Sequence, residues 1–233
     1  MNNQQRGLFD NQPNDLVSAP NLAQVIGLRY IPEFISCEQH DELLRQIDAE
    51  LWLTDLKRRV QHYGYKYNYK SRSVDQAMRI GPLPAWAEAL GEMLCKQGLM
   101  SENPDQVIVN EYEPGQGIAN HIDCVPCFAD TIISLSLGSA CLMELTNKAT
   151  DQVIPVLLEP RSLIVLQEDA RFVWTHGIPA RKSDKYGNHV INRQRRVSLT
   201  FRKVIFPKQN AAPASKTTPL VILSEPRNDQ PTV

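Results

Sequence analysis

His121 and Asp123 stand one residue apart at the end of VIVNEYEPGQGIANHID, residues 107–123, and both side-chain types can ligate a divalent metal. The stretch begins as an alternation of apolar and polar residues, which predicts a strand. On a strand every second side chain returns to the same face, so an imidazole and a carboxylate would project together. Pro114 and Gly115 predict a tight turn within the stretch. His176, in VWTHGI, lies 55 residues beyond His121. Two histidines and a carboxylate on neighbouring strands make the facial arrangement that suits non-haem Fe(II), leaving positions for a cosubstrate and dioxygen. His121, Asp123 and His176 are therefore the candidate metal ligands and the candidate catalytic centre. Taken singly, each also has an ordinary explanation as a surface or hydrogen-bonded residue.

Near the end of the chain, RVSLTFRKV alternates again. Arg196 and Arg202 share a face with Ser198 and Thr200, while Val197, Leu199 and Phe201 take the other. Two buried guanidinium groups need an anion. A dicarboxylate that chelates iron at one end and meets an arginine at the other answers that need. An outward-facing basic edge strand would explain the same pattern.

The residues that could bind a substrate stand in LKRRVQHYGYKYNYKSR, residues 56–72. Lys57, Arg58, Arg59, Lys66, Lys70 and Arg72 come with no acid, and Tyr63, Tyr65, Tyr67 and Tyr69 alternate. In an extended conformation the four rings would share one face. Cations meet phosphates and rings stack on bases, so Arg58, Arg59, Tyr63, Tyr65 and Lys66 are the candidate substrate contacts. A core-packed tyrosine strand with its lysines in water is the alternative. A second basic run, Arg181 to Arg196 with the single acid Asp184, could follow a nucleic-acid backbone, although such runs are usually solvated loops.

Something must hold these residues in place. Ser36 and Gln39 fit a capping box ahead of a helical stripe over 37–51, and a second stripe follows Pro84 over 85–97. From Val107 onward short strands crowd together, at 107–112, 117–123, 131–137, 140–145, 153–158, 162–167, 171–175 and 196–204. This predicts a mainly β fold with flanking helices, a barrel or double-sheet jelly roll. The 233 residues, 42% of them hydrophobic, suit one domain over 21–207 between polar tails at 1–20 and 208–233. A net charge of −1 gives no global basic field, so any nucleic-acid contact must come from a local patch. No apolar run is long enough to cross a bilayer and no signal-peptide layout is present, so a cytoplasmic monomer without membrane contact is expected. Five cysteines in a reducing compartment predict free thiols.

Together, Asn110 and Tyr112, the turn at 114–115, His121 and Asp123, His176 and the Arg196 to Arg202 strand resemble the AlkB family of Fe(II)/2-oxoglutarate-dependent dioxygenases. The likeness covers roughly 25–205. Within the family the chain is similar to the oxygenase domain of tRNA wobble-uridine hydroxylases in RRVQHYGY, NEYEPGQGIxxHID, SLSLGS and WTHGI, but it has no room for their RNA-recognition and methyltransferase domains. The resemblance implies a double-stranded β-helix (jelly roll) and the cofactors Fe(II) and 2-oxoglutarate. It implies that His121, Asp123 and His176 bind iron and that Arg196 holds the distal carboxylate of 2-oxoglutarate. Asn110 and Tyr112 would bond the cosubstrate, and Arg202 would lie near its metal-bound end. The region around 56–72 would be a nucleotide-recognition lid. The implied reaction hydroxylates or oxidatively demethylates a modified nucleobase in RNA, with tRNA favoured, or in DNA. The same chemistry on a protein side chain, or a non-catalytic binding module, are the rival readings.

Overall fold

The computed structural model of the chain describes residues 22–206; the stretches read as tails, 1–20 and 208–233, lie outside the described residues. Two antiparallel sheets face one another. The larger takes β1 (Leu28–Ile31), β2 (Val60–Tyr63), β3 (Gln106–Tyr112), β5 (Phe128–Gly138), β8 (Leu163–Leu166) and β12 (Arg196–Val204), in the order β1-β8-β5-β12-β3-β2. The smaller takes β4 (Ile118–His121), β6 (Cys141–Asn147), β7 (Val153–Leu158) and β9 (Trp174–Ile178), in the order β4-β9-β6-β7. A separate hairpin joins β10 (Ser183–Tyr186) to β11 (His189–Asn192). This is the jelly-roll architecture that the strand spacing predicts.

Strand β12 organises the larger sheet, pairing with β3 on one side and β5 on the other. Its alternation divides the protein's interior in two. Val197, Leu199 and Phe201 are at most 1% exposed and pack outward, under helices α1 (Cys37–Ala49) and α2 (Ala85–Lys96). Helix α1 starts at the predicted capping box: Ser36 Oγ accepts from the Gln39 N–H at 3.2 Å and Gln39 Oε1 accepts from the Ser36 N–H at 2.9 Å. Between the sheets a second apolar cluster joins Ile132, Ile164 and Leu166 of the larger sheet to Leu145, Val156 and Trp174 of the smaller. A cavity opens against this second layer, lined by polar side chains together with Ile132, Ile164 and Leu166.

Three expectations from the sequence are corrected. Residues 171–175 are not one strand: α3 (Glu168–Phe172) forms first, and β9 begins at Trp174. Glu168 and Asp169 in the first turn of α3 complement a helix start, which outweighs the β-rich composition that follows. Strand β4 ends at His121, so Asp123 sits on the loop beyond it rather than on the strand. Finally, Cys124 and Cys127 form a disulfide, their Cα atoms 5.2 Å apart, while Cys37, Cys95 and Cys141 are free. The turn that brings the first two together is closed by the N–H groups of Cys127 and Phe128, both donating to the Cys124 carbonyl. No helix among the described residues is long and apolar enough to cross a membrane.

Candidate metal and cosubstrate site

His121 and His176 are direct cross-strand partners on β4 and β9, with ring centroids 4.4 Å apart. Gly177 allows this approach, because a Cβ there would run into Asn120 of β4. Asp123 reaches the same point from its loop, and one ligand atom from each of the three residues falls within 4.8 Å of the others. His121 Nδ1 lies 2.8 Å from the Ala119 carbonyl, to which it donates, so Nε2 is the ring nitrogen on the side of Asp123. Burial and the neighbouring His121 pull the His176 pKa down to about 4, so its imidazole is neutral at physiological pH. Burial pushes the Asp123 carboxyl up, but Arg202 and the two histidines outweigh it and hold the group well below the usual carboxylate range. Two imidazoles, that of His176 neutral, and one carboxylate thus stand together as a donor set for a divalent cation. Asp123 Oδ1 accepts from Arg202 Nη2 at 3.1 Å, whereas Oδ2 is buried with no partner. An orphaned carboxylate oxygen beside two imidazoles fits a metal.

Arg196 and Arg202, which also line the cavity, are 3% and 7% exposed. Arg196 donates from Nη2 to Ser136 Oγ at 2.9 Å and lies over the Tyr112 ring, yet its Nε and Nη1 have no acceptor. Arg202 lies over the Phe128 ring and likewise leaves Nε and Nη1 unpartnered. Four buried cationic donors without an acceptor are costly unless an anion meets them. The cavity holds about 510 Å³, room for a small dicarboxylate with space remaining. Asn110 and Tyr112 also line it; Asn110 Oδ1 accepts from Arg58 Nε at 2.9 Å, which leaves the amide NH₂ for another partner.

The five candidate substrate contacts do not converge. Only Arg58 lines the cavity. Arg59 pairs with the buried Glu111 and lies over the Trp52 ring. Tyr63 packs edge-on against Trp86 in the outer cluster, and Tyr65 packs against Phe206. Lys66 is exposed and does not line the cavity. The single tyrosine face fails because strand β2 ends at Tyr63 and Gly64 turns the chain at φ 77°, where a Cβ would strike the Asp105 carbonyl. Asn68 then closes a second turn, accepting from the N–H groups of Lys70 and Ser71. These turns carry Tyr67, Tyr69 and Arg72 to the cavity wall instead. Gly64 and Asn68 were the signals available for that change of direction.

The second basic run is mostly neutralised within the protein. Arg193 and Arg181 both bond Asp184, and Arg195 bridges Glu111 and Asp48. Only Lys182 and Lys185 of that run face solvent without a carboxylate.

Residues 27–202 match a family model described as the 2OG-Fe(II) oxygenase superfamily. The chain is 37% identical to the Alkylated DNA repair protein ALKBH8 homolog of Arabidopsis thaliana, an alignment that covers 84% of this chain and 64% of that protein. It is 36% identical to the tRNA (carboxymethyluridine(34)-5-O)-methyltransferase ALKBH8 of Macaca fascicularis, over 88% of this chain and 34% of that protein. The chain therefore spans less than two thirds of the length of either relative. Among solved structures, OsALKBH1 superposes with a TM-score of 0.58 at 16% identity, covering 76% of this chain and 98% of that one.

Proposed function

The chain belongs to the AlkB family within the 2OG-Fe(II) oxygenase superfamily, an Fe(II)- and 2-oxoglutarate-dependent dioxygenase, and from that premise we propose that it oxidises a modified nucleobase in RNA, with tRNA favoured over DNA. The observation that carries the proposal is the lining of the cavity. Tyr67 and Tyr69 stand in it with Arg58 and Arg72, in the same space as His121, Asp123 and His176. Aromatic faces beside cations suit an unstacked base and its phosphate, and a base taken from a loop or flipped from a stack can enter such a cleft. The two relatives' names, one for alkylated DNA repair and one for a tRNA uridine modification, are consistent with this substrate class.

In this reading His121, Asp123 and His176 hold the iron. Iron with 2-oxoglutarate and dioxygen supplies the oxidising power to place a hydroxyl on a C–H of the substrate, with succinate and carbon dioxide as the other products. Arg196 receives the distal carboxylate through its Nε and Nη1, and Ser136 fixes the guanidinium for that contact. Tyr112, under the guanidinium, keeps water from it, and Asn110 offers its amide N–H to the cosubstrate. Arg202 holds Asp123 with one nitrogen and presents two more donors to the metal-bound end of 2-oxoglutarate. The lid tyrosines then place the base so that one carbon faces the metal. On an N-methyl carbon the hydroxylated product collapses to formaldehyde and the free base; on a methylene the hydroxyl stays. We take residues 21–207 as the oxygenase domain of a cytoplasmic monomer.

The test is nucleoside mass spectrometry of tRNA and of single-stranded DNA treated with the purified protein, Fe(II) and 2-oxoglutarate. A nucleoside that gains oxygen or loses a methyl group in tRNA, and not with His121→Ala, is the expected result. Succinate formation with no change in any nucleoside would overturn the nucleobase reading.

A further inference from the structure

Two of the three metal-site residues are held by sheet register, but Asp123 stands past the end of β4 and no ladder sets its position. Arg171 lies behind it. This side chain, on α3, is 2% exposed and among the largest fully buried side chains of the described residues. Its Nη1 donates to the Asp123 carbonyl at 2.9 Å, Nη2 to the Cys124 carbonyl at 3.4 Å and Nε to the Ala129 carbonyl at 3.4 Å. The Phe172 ring lies 5.0 Å from the guanidinium carbon. Among the described residues no carboxylate forms an ion pair with Arg171. A buried arginine is normally retained against a carboxylate or a ligand, since its desolvation is otherwise poorly offset. Here main-chain carbonyls take that part: two come from the loop that bears Asp123, and the third, of Ala129, from the start of β5 where that loop ends.

We propose that Arg171 is a positioning residue for the metal: it ties the loop after β4 to the start of β5 so that the Asp123 carboxylate meets the two imidazoles. This inference rests on the reading of Asp123 as a ligand. Helix α3 runs almost directly into β9, and Arg171 is five residues before His176. One short segment thus carries a ligand on β9 and, five residues earlier, the clamp on the opposing ligand. Arg202 holds the same aspartate from the cavity side through Oδ1. Arg171 grips the backbone behind it, so Asp123 is held from both the side chain and the main chain. The disulfide between Cys124 and Cys127 closes the loop that Arg171 grips. Outer groups that orient a ligand commonly change metal affinity by about 10–100-fold when removed.

The test uses the full chain with Mn(II) as a redox-silent probe, titrated without 2-oxoglutarate and followed by the electron paramagnetic resonance of the free ion. Arg171→Met keeps the bulk and removes every donor; it should weaken Mn(II) by about 10–100-fold. Arg171→Lys keeps the charge and part of the bonding and should fall between that variant and the unmodified protein. Leu135→Ala, in the outer cluster on the far side of the sheet, serves as a stability control and should bind Mn(II) normally despite a lower Tm. At saturating Mn(II), 2-oxoglutarate should bind Arg171→Met as it binds the unmodified protein, because Arg196 is untouched. Mn(II) affinity of Arg171→Met within about twofold of the unmodified protein overturns the proposal. So does an equal loss in Leu135→Ala, or a parallel loss of 2-oxoglutarate affinity at saturating metal. Should Arg171→Met fail to fold, Arg171→Lys decides, with unchanged affinity counting against. Asp123→Ala separates the two readings. If it binds Mn(II) normally, the ligand assignment falls and the positioning role with it. If it loses Mn(II) while both Arg171 variants keep it, the positioning role alone falls.

Discussion

Arg193 and Arg196 are three residues apart, both nearly buried, and they face opposite problems. Arg193 meets Asp184 through two short bonds, 2.6 and 2.7 Å, and donates to the Pro179 carbonyl at 2.8 Å. Burial pushes the Asp184 carboxyl up, but Arg193, Arg181 and the Leu142 N–H outweigh it and hold it below the usual carboxylate range. That region is complete in itself. Arg196 has one serine hydroxyl and two orphaned nitrogens, and Arg202 repeats the shortfall six residues on. A buried arginine that closes its own ion pair belongs to the scaffold; one left with buried unpaired donors marks the place of a ligand.

The comparison breaks first, and most visibly, at Asp184. Asp184→Ala leaves Arg193 buried without its carboxylate and should cost about 3–5 kcal/mol. That is a fall in Tm of roughly 10 °C for a chain of this size, measured by calorimetry. Arg196→Met should do the reverse. Replacing an unsatisfied buried cation by a thioether of similar length should leave the Tm of the ligand-free protein unchanged or higher. Its effect falls on 2-oxoglutarate, whose binding should weaken by about 2–5 kcal/mol, at least roughly thirtyfold in Kd by calorimetric titration. A Tm loss in Arg196→Met as large as that in Asp184→Ala would place Arg196 in the scaffold and erase the distinction.

A third region sharpens it through pH. His62 is a buried neutral group at the base of the lid: its Nδ1 accepts from the Tyr67 N–H at 3.4 Å and its ring meets Tyr69 edge-on. Burial, with Arg202 and Lys66 nearby, pulls its pKa from 6.5 down to about 4. The folded protein therefore binds fewer protons than the unfolded chain between those values. Its stability is fully present above pH 6.5 and declines as pH falls towards 4, by up to about 3 kcal/mol from this residue. His62→Gln should flatten the fall between pH 7 and 4.5 in urea titrations of the metal-free protein, leaving the part due to His176. An unchanged slope would mean that the imidazole is not withdrawn from water.

Those residues were legible in different degrees. The alternation in β12 gave both faces correctly, because a strand's period of two is a local property. The two histidines and the aspartate could be named from type and spacing, and α1 could be started at Ser36. What failed depended on distant partners or on turns. Whether an arginine is free cannot be read from a basic run when its partners are Glu111 and Asp48, 84 and 147 residues from Arg195. The reading of 56–72 as one extended face overlooked Gly64 and Asn68, each of which turns the chain. Arg171 gave no signal at all, since its acceptors are main-chain carbonyls that every residue possesses.

The smallest effect tests the same rule at the lid. Tyr69 lines the cavity, with Arg58 near its ring, and its hydroxyl is buried without a partner. Burial pushes that hydroxyl's pKa up, so it remains a neutral donor at physiological pH. By the logic of Arg196, an orphaned donor beside the cavity awaits an acceptor, here a polar edge of the base. Tyr69→Phe removes only the hydroxyl and keeps the ring for stacking. The loss should be that of one hydrogen bond, about 0.5–1.5 kcal/mol, or roughly two- to tenfold in substrate KM. Succinate formation without nucleic acid should be unchanged, because the metal and Arg196 are untouched. Tyr63→Phe, whose hydroxyl is already bonded to Gln61 in the outer cluster, should leave KM alone. If Tyr69→Phe also leaves KM alone, an orphaned atom at this cavity does not by itself point to a ligand. The case for Arg196 would then rest on 2-oxoglutarate binding alone.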